Sequence, residues 1–86
     1  MNSQQREQVR LSLLRYGLGG FTAGLARQHL ISEGFSGISI EETKAEVAYL
    51  EDKGFLTAAS KAISPENRLW KTHANGRDYL ATGGIE

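Results

Sequence analysis

The stretch from Leu25 to Leu56 constrains this chain more than any other. It reads Leu25-Ala26-x-x-x-Leu30, then Gly34, then Ser39-Ile-Glu-Glu42, then Val47-x-x-Leu50, then Gly54-Phe55-Leu56. Apolar residues spaced three and four apart mark a helix, because about 3.6 residues complete one turn. A glycine just beyond such a run closes it. Ser39 followed by Glu42 is a capping box, in which each side chain bonds the other's backbone amide. The order is therefore helix, turn, capped helix, and a strand entered through a glycine.

The flanking segments complete the layout. A first helix is expected from about Ser3 to Tyr16, with Val9, Leu13 and Tyr16 on one face and Leu11 and Leu14 widening the apolar arc. Gly17, Gly19 and Gly20 end it through the left-handed conformations glycine tolerates. The second helix is expected from Ala23 to Glu33, capped by Thr22, with Leu25, Ala26 and Leu30 inward. The third runs from Ile40 to Lys53, with Ile40, Thr43, Val47 and Leu50 on one face. Phe55 to Ala59 and Arg68 to Thr72 read as paired strands, and Ser60 to Asn67, with Ser64-Pro65 inside, reads as their loop. A short last helix spans Asn75 to Ala81. The expected fold class is α+β, mostly α, as a single domain over residues 1–86.

Composition narrows the setting. A chain of 86 residues holds about three helices and a ribbon around one core. Cysteine is absent, which removes disulfides and thiolate metal sites. No apolar run approaches the roughly 20 residues that span a bilayer. The opening Met-Asn-Ser-Gln-Gln-Arg-Glu-Gln has no signal-peptide core. A soluble cytoplasmic protein without a membrane partner is expected.

Taken together, these elements resemble a winged-helix domain. Leu50-Glu-Asp-Lys-Gly54-Phe-Leu56 is similar to the usual end of a winged-helix recognition helix. Trp70 through Leu80 is similar to the return strand and closing helix. The chain also resembles small winged-helix proteins of Mu-like phages and prophages, through Val9, Leu13, Leu14, Leu50, Gly54, Phe55, Leu69 and Trp70. Some of that group are described as ArsR-like regulators. The resemblance implies a three-helix core with a two-stranded β-hairpin wing, double-stranded DNA as partner and a role in transcription regulation. It departs from the family's pattern at Thr72-His73, where Leu-Thr is usual, which weakens the inward anchor and the cap. It departs again in its acidic third helix.

Charge distribution sharpens that second departure. Residues 1–38 carry four arginines against two acids, for +2, and residues 39–54 carry five acids against two lysines, for −3. Residues 55–86 carry four basic residues against three acids, for +1. Phosphate contact by Lys and Arg supplies most DNA affinity, so a third helix bearing Glu41, Glu42, Glu46, Glu51 and Asp52 opposes groove entry. The nucleic-acid candidates are Lys44 on that helix and Lys61, Asn67, Arg68 and Lys71 on or beside the wing. These are equally read as ordinary solubilising charges. The rival function is a protein-interaction module that offers Glu41, Glu42, Glu46 and Tyr49 to a basic partner. Ile63 in the wing loop either tucks back or joins a partner contact.

Other residues read more plainly. Arg6, Arg10 and Arg27 are expected as surface arginines. His29 is placed at the edge of the second helix's apolar face and His73 near the last helix's start, without metal-site spacing. Trp70 is expected to pack inward, and Tyr49 lies between faces. No nucleophile–base pair stands out, so neither an enzyme nor a cofactor is expected. A homodimer is expected, because one small module binds one half-site weakly. Leu11, Leu14, Tyr79 and Ile85 are its proposed surface.

Overall fold

Each helix starts where a side chain replaces the missing partners of its first turn. The structure, a computed structural model, describes residues 2–58 and 68–82. Helix α1 spans Ser3–Tyr16 and is capped by Asn2, whose Oδ1 accepts from the Gln5 amide at 2.8 Å while Gln5 Oε1 accepts from the Asn2 amide. Helix α2 spans Ala23–Ser32, with Thr22 as N-cap and Glu33 as C-cap. Helix α3 spans Ile40–Asp52 behind the Ser39–Glu42 capping box. Strands β1 (Leu56–Ala58) and β2 (Trp70–Thr72) pair antiparallel, with Thr57 opposite Lys71. Helix α4 spans Ala74–Ala81. The described residues thus form an α+β fold, mostly helical. Lys61, Ile63, Ser64-Pro65, Asn67 and Ile85 lie outside them.

The core is drawn from α1, α2, α3, both strands and the loops between them, with Tyr79 and Leu80 of α4 packed against it. Val9, Leu13 and Leu14 of α1, Ala26 and Leu30 of α2, and Val47 and Leu50 of α3 meet Phe21, Ile38, Leu56 and Trp70. Phe21 was not assigned by sequence. Its amide and carbonyl exchange hydrogen bonds with Trp70 at 2.9 and 2.7 Å, so it pairs with the free edge of β2. Gly54 has φ +77°, which turns the chain from α3 into β1 at a value L-residues rarely adopt.

Several expectations are corrected. Leu25 does not face inward: it is 49 % exposed. The buried stripe of α2 runs Ala23, Ala26, Leu30, and one step of roughly 100° carries Leu25 off it. Leu14 is fully buried and so is not part of any dimer surface. Gly17 has φ −68°, an ordinary helical value, so left-handedness is not its purpose. A Cβ there would stand 2.5 Å from Thr72 Oγ1. Thr72 is itself no weakened anchor. It is buried, and its hydroxyl donates to the Leu14 carbonyl at 2.6 Å, tying β2 to α1. His73 caps α4 through Nδ1, which accepts from the Asn75 amide at a long 3.4 Å.

Candidate nucleic-acid interface

Helix α3 is fixed at its N-terminus by reciprocal 3.0 Å bonds between Ser39 and Glu42. The Ser39 amide, and then its hydroxyl, hold the Glu42 carboxyl below the usual glutamate range. Glu41 and Glu42 both sit exposed in the first turn, where the partial positive charge of the helix end favours acids. Their position stabilises the helix start.

Glu46 is not on the exposed face where sequence placed it. It is 3 % exposed and turns toward α1. Its Oε1 accepts from Arg10 Nε at 2.7 Å and its Oε2 from Arg6 Nε at 3.4 Å. Arg6 and Arg10 are one helical turn apart and so meet one carboxylate together. They link two helices rather than decorating a surface. The signal was present in the sequence, because Thr43, Glu46, Val47 and Leu50 follow the spacing of a buried helical stripe.

Tyr49 lies beside the same ion pair. The Arg10 guanidinium sits 3.7 Å from its ring centroid and the Lys53 ammonium 5.6 Å, a cation–π stack. Tyr49 therefore belongs to the α1–α3 seam although it is 38 % exposed. Of the four residues proposed for a protein partner, Glu41 and Glu42 remain exposed on α3. Glu46 and Tyr49 are engaged with α1.

On the opposite flank of α3 a groove of about 200 Å³ runs along the hairpin. Ala23, Val47, Ala48 and Trp70 form its apolar lining, and Lys44, Arg68 and Glu51 its charged lining. The Arg68 guanidinium stands 5.6 Å from the Trp70 ring. Arg68 and Trp70 are two residues apart, which puts both on one face of the extended chain. Lys71 falls on the other face. It is exposed, and its stem, with Leu69, flanks Gly20. Of the proposed nucleic-acid residues, the fold unites Lys44 with Arg68 and sends Lys71 to the far side of the ribbon. Sequence missed Glu51 and Ala48 as partners of this groove, since only the docking of the hairpin on α3 brings them to Trp70.

No protein-family model matches the chain, and no curated protein matches it. No described helix is long and apolar enough to cross a membrane. Among the described residues no group of three or more His, Asp or Glu is placed to hold a metal. His29 stacks on Tyr16 at 4.2 Å between centroids and pairs with Glu33 at 3.4 Å. The same Glu33 oxygen accepts from the buried Ser12 hydroxyl.

Proposed function

We propose that this chain is a winged-helix module that binds double-stranded DNA and acts in transcription regulation. The reading is carried by one observation: Lys44 of α3 and Arg68 beside β2 line the same groove between helix and hairpin. Two cations on separate elements give a phosphate backbone a fixed register. The inward turn of Glu46 also helps, because it removes one carboxylate from the surface that would approach DNA. Affinity is modest, given a formal net charge of zero, and two half-sites bound by a homodimer would raise it.

The test is fluorescence anisotropy of a labelled random-sequence duplex at micromolar protein across a salt series. Binding that weakens steeply with salt supports phosphate contact. Absence of binding at low salt in the full chain would sink the reading.

A second reading rests on a different observation. Glu41, Glu42, Glu51 and Asp52 are all exposed on α3. That face suits a basic protein partner. Retention of the protein on immobilised lysine-rich peptide, lost in a Glu41→Gln/Glu42→Gln variant, would favour it over DNA.

A further inference from the structure

A second cavity, of about 360 Å³, opens between α1 and the end of α2. Gln8, Leu11, Ser12 and Arg15 line it from α1, and Glu33 and Phe35 line it from the end of α2 and the turn beyond. The spacing of the four α1 residues puts them on one stripe of that helix. Leu11 and Phe35 are half-buried and give the cavity an apolar wall. It shares no residue with the groove of Lys44 and Arg68.

The charges of this cavity are opposite and unjoined. Arg15 is exposed in the last turn of α1, and its guanidinium makes no ion pair, hydrogen bond or ring contact with any described residue. Glu33 is the C-cap of α2. Its Oε1 accepts from the Ser12 hydroxyl at 3.2 Å and faces His29 Nε2 at 3.4 Å, which fixes the carboxylate. Its Oε2 has no partner among the described residues. Ser12 is only 2 % exposed, so the donor that orients Glu33 is sheltered from water. Gln8 adds an amide that both donates and accepts.

A free α-amino acid carries the complementary pair of charges. Its carboxylate matches the planar fork of an arginine, which donates two parallel bonds. Its ammonium matches Glu33 Oε2, and the negative end of the α2 dipole adds to that attraction. An apolar side chain on the same carbon covers Leu11 and Phe35. A simple anion would leave Glu33 unpaired and repelling, and a simple cation would do the same to Arg15. We propose that this cavity binds a free α-amino acid with an apolar side chain, held by Arg15 at its carboxylate and by Glu33 at its ammonium. The site is independent of the DNA-binding reading and goes beyond it. Both charges face solvent, so a dissociation constant of about 1 mM is expected.

The experiment titrates L-leucine and L-phenylalanine, each to about 20 mM, into the isotope-labelled full chain. Backbone amide shifts and melting temperature are read together. The matching amides, which lack the carboxylate, and isocaproate and hydrocinnamate, which lack the ammonium, are the controls. At least one of the two amino acids is expected to shift the amides of Leu11, Ser12, Glu33 and Phe35 saturably and to raise the melting temperature by several degrees. The controls are expected to bind about tenfold more weakly or worse. Arg15→Gln and Glu33→Gln are each expected to weaken amino-acid binding about tenfold. Neither change should unfold the chain, because the Arg15 guanidinium has no partner to lose and glutamine at position 33 keeps an acceptor for Ser12.

Saturable shifts at those four residues, lost in both variants, support the site. Absence of any shift with either amino acid overturns it. An equal response to the amides, or to the acids without the amino group, also overturns it, as do shifts confined to other parts of the chain. A protein that binds no DNA but binds L-leucine keeps this site, so the two readings fail separately.

Discussion

Arg10 on α1 donates from Nε to the Oε1 of Glu46 on α3 at 2.7 Å, while the same guanidinium covers the Tyr49 ring at 3.7 Å. One arginine thus satisfies a buried carboxylate and shields an aromatic face, joining two helices separated by the whole of α2. Glu46 has a side chain only 4 % exposed, and Arg10 one 17 % exposed. In such a place a lone charge costs more than a bonded pair gains. Arg10→Met is expected to destabilise the fold by about 1–3 kcal/mol, since Glu46 keeps only the longer contact with Arg6. The double variant Arg10→Met/Glu46→Leu should lose clearly less than the sum of the two single changes. Urea denaturation of the four proteins measures this. Simple additivity would show that the pair is not coupled.

Thr72 fastens the hairpin to the first helix. Its buried hydroxyl donates to the Leu14 carbonyl at 2.6 Å, and its amide donates to the Gly17 carbonyl at 3.0 Å. Thr72→Val keeps the shape and removes the hydroxyl. It leaves the Leu14 carbonyl without that donor in a buried place, so a loss of about 1–3 kcal/mol is expected. Thr72→Ser should lose less, because it keeps the hydroxyl. Equal stability of the valine and threonine proteins would contradict this account.

Gly76 marks where α4 presses on the hairpin. A Cβ there would overlap the Phe55 carbonyl oxygen and stand 2.8 Å from Thr72 Cγ2. The first contact is with backbone, which cannot swing away. Gly76→Ala is therefore expected to cost about 2–3 kcal/mol through forced shifts and to lower the melting temperature by about 10 °C or more. Gly24, in the first turn of α2, has open space around the same position. Gly24→Ala should raise stability by about 0.5 kcal/mol through helix propensity. Thermal melts of the two variants should move in opposite directions.

Glu42 gives the fold a defined acid response. Its carboxyl is held below the ordinary glutamate range by bonds from the Ser39 amide and hydroxyl. A depressed folded value means that the contribution is fully present above the unfolded glutamate value. It fades as pH falls below that value and is gone once pH passes through the lower folded value. Glu42→Gln keeps a capping-box side chain without the titration. Its stability should fall less steeply over that acid window than the wild type does. Parallel curves of stability against pH would remove Glu42 as a cause.

Helix positions were legible in the sequence because they depend on neighbours a few residues away. Asn2, Thr22 and Ser39 cap helices that begin at Ser3, Ala23 and Ile40. Trp70 also lies inward as its place in an alternating strand implies. Both strands start one or two residues later than expected, at Leu56 and Trp70, since pairing rather than propensity decides where a ladder starts.

What the tertiary structure alone decided is which side of each helix meets which neighbour. Leu25 reads as core and is exposed, and Glu46 reads as surface and is buried. The spacing of Glu46 with Thr43, Val47 and Leu50 already matches a buried stripe, but the α1 arginines that meet its carboxylate are supplied only by the packing of α1 against α3. The pairing of Phe21 with Trp70, and the meeting of Lys44, Glu51 and Arg68 in one groove, likewise need residues about 50 and about 20 positions apart to be brought together by packing. The sequence by itself determined the elements, through caps, glycines and spacing. Only the packed chain determined the site, because a site is a set of distances between elements.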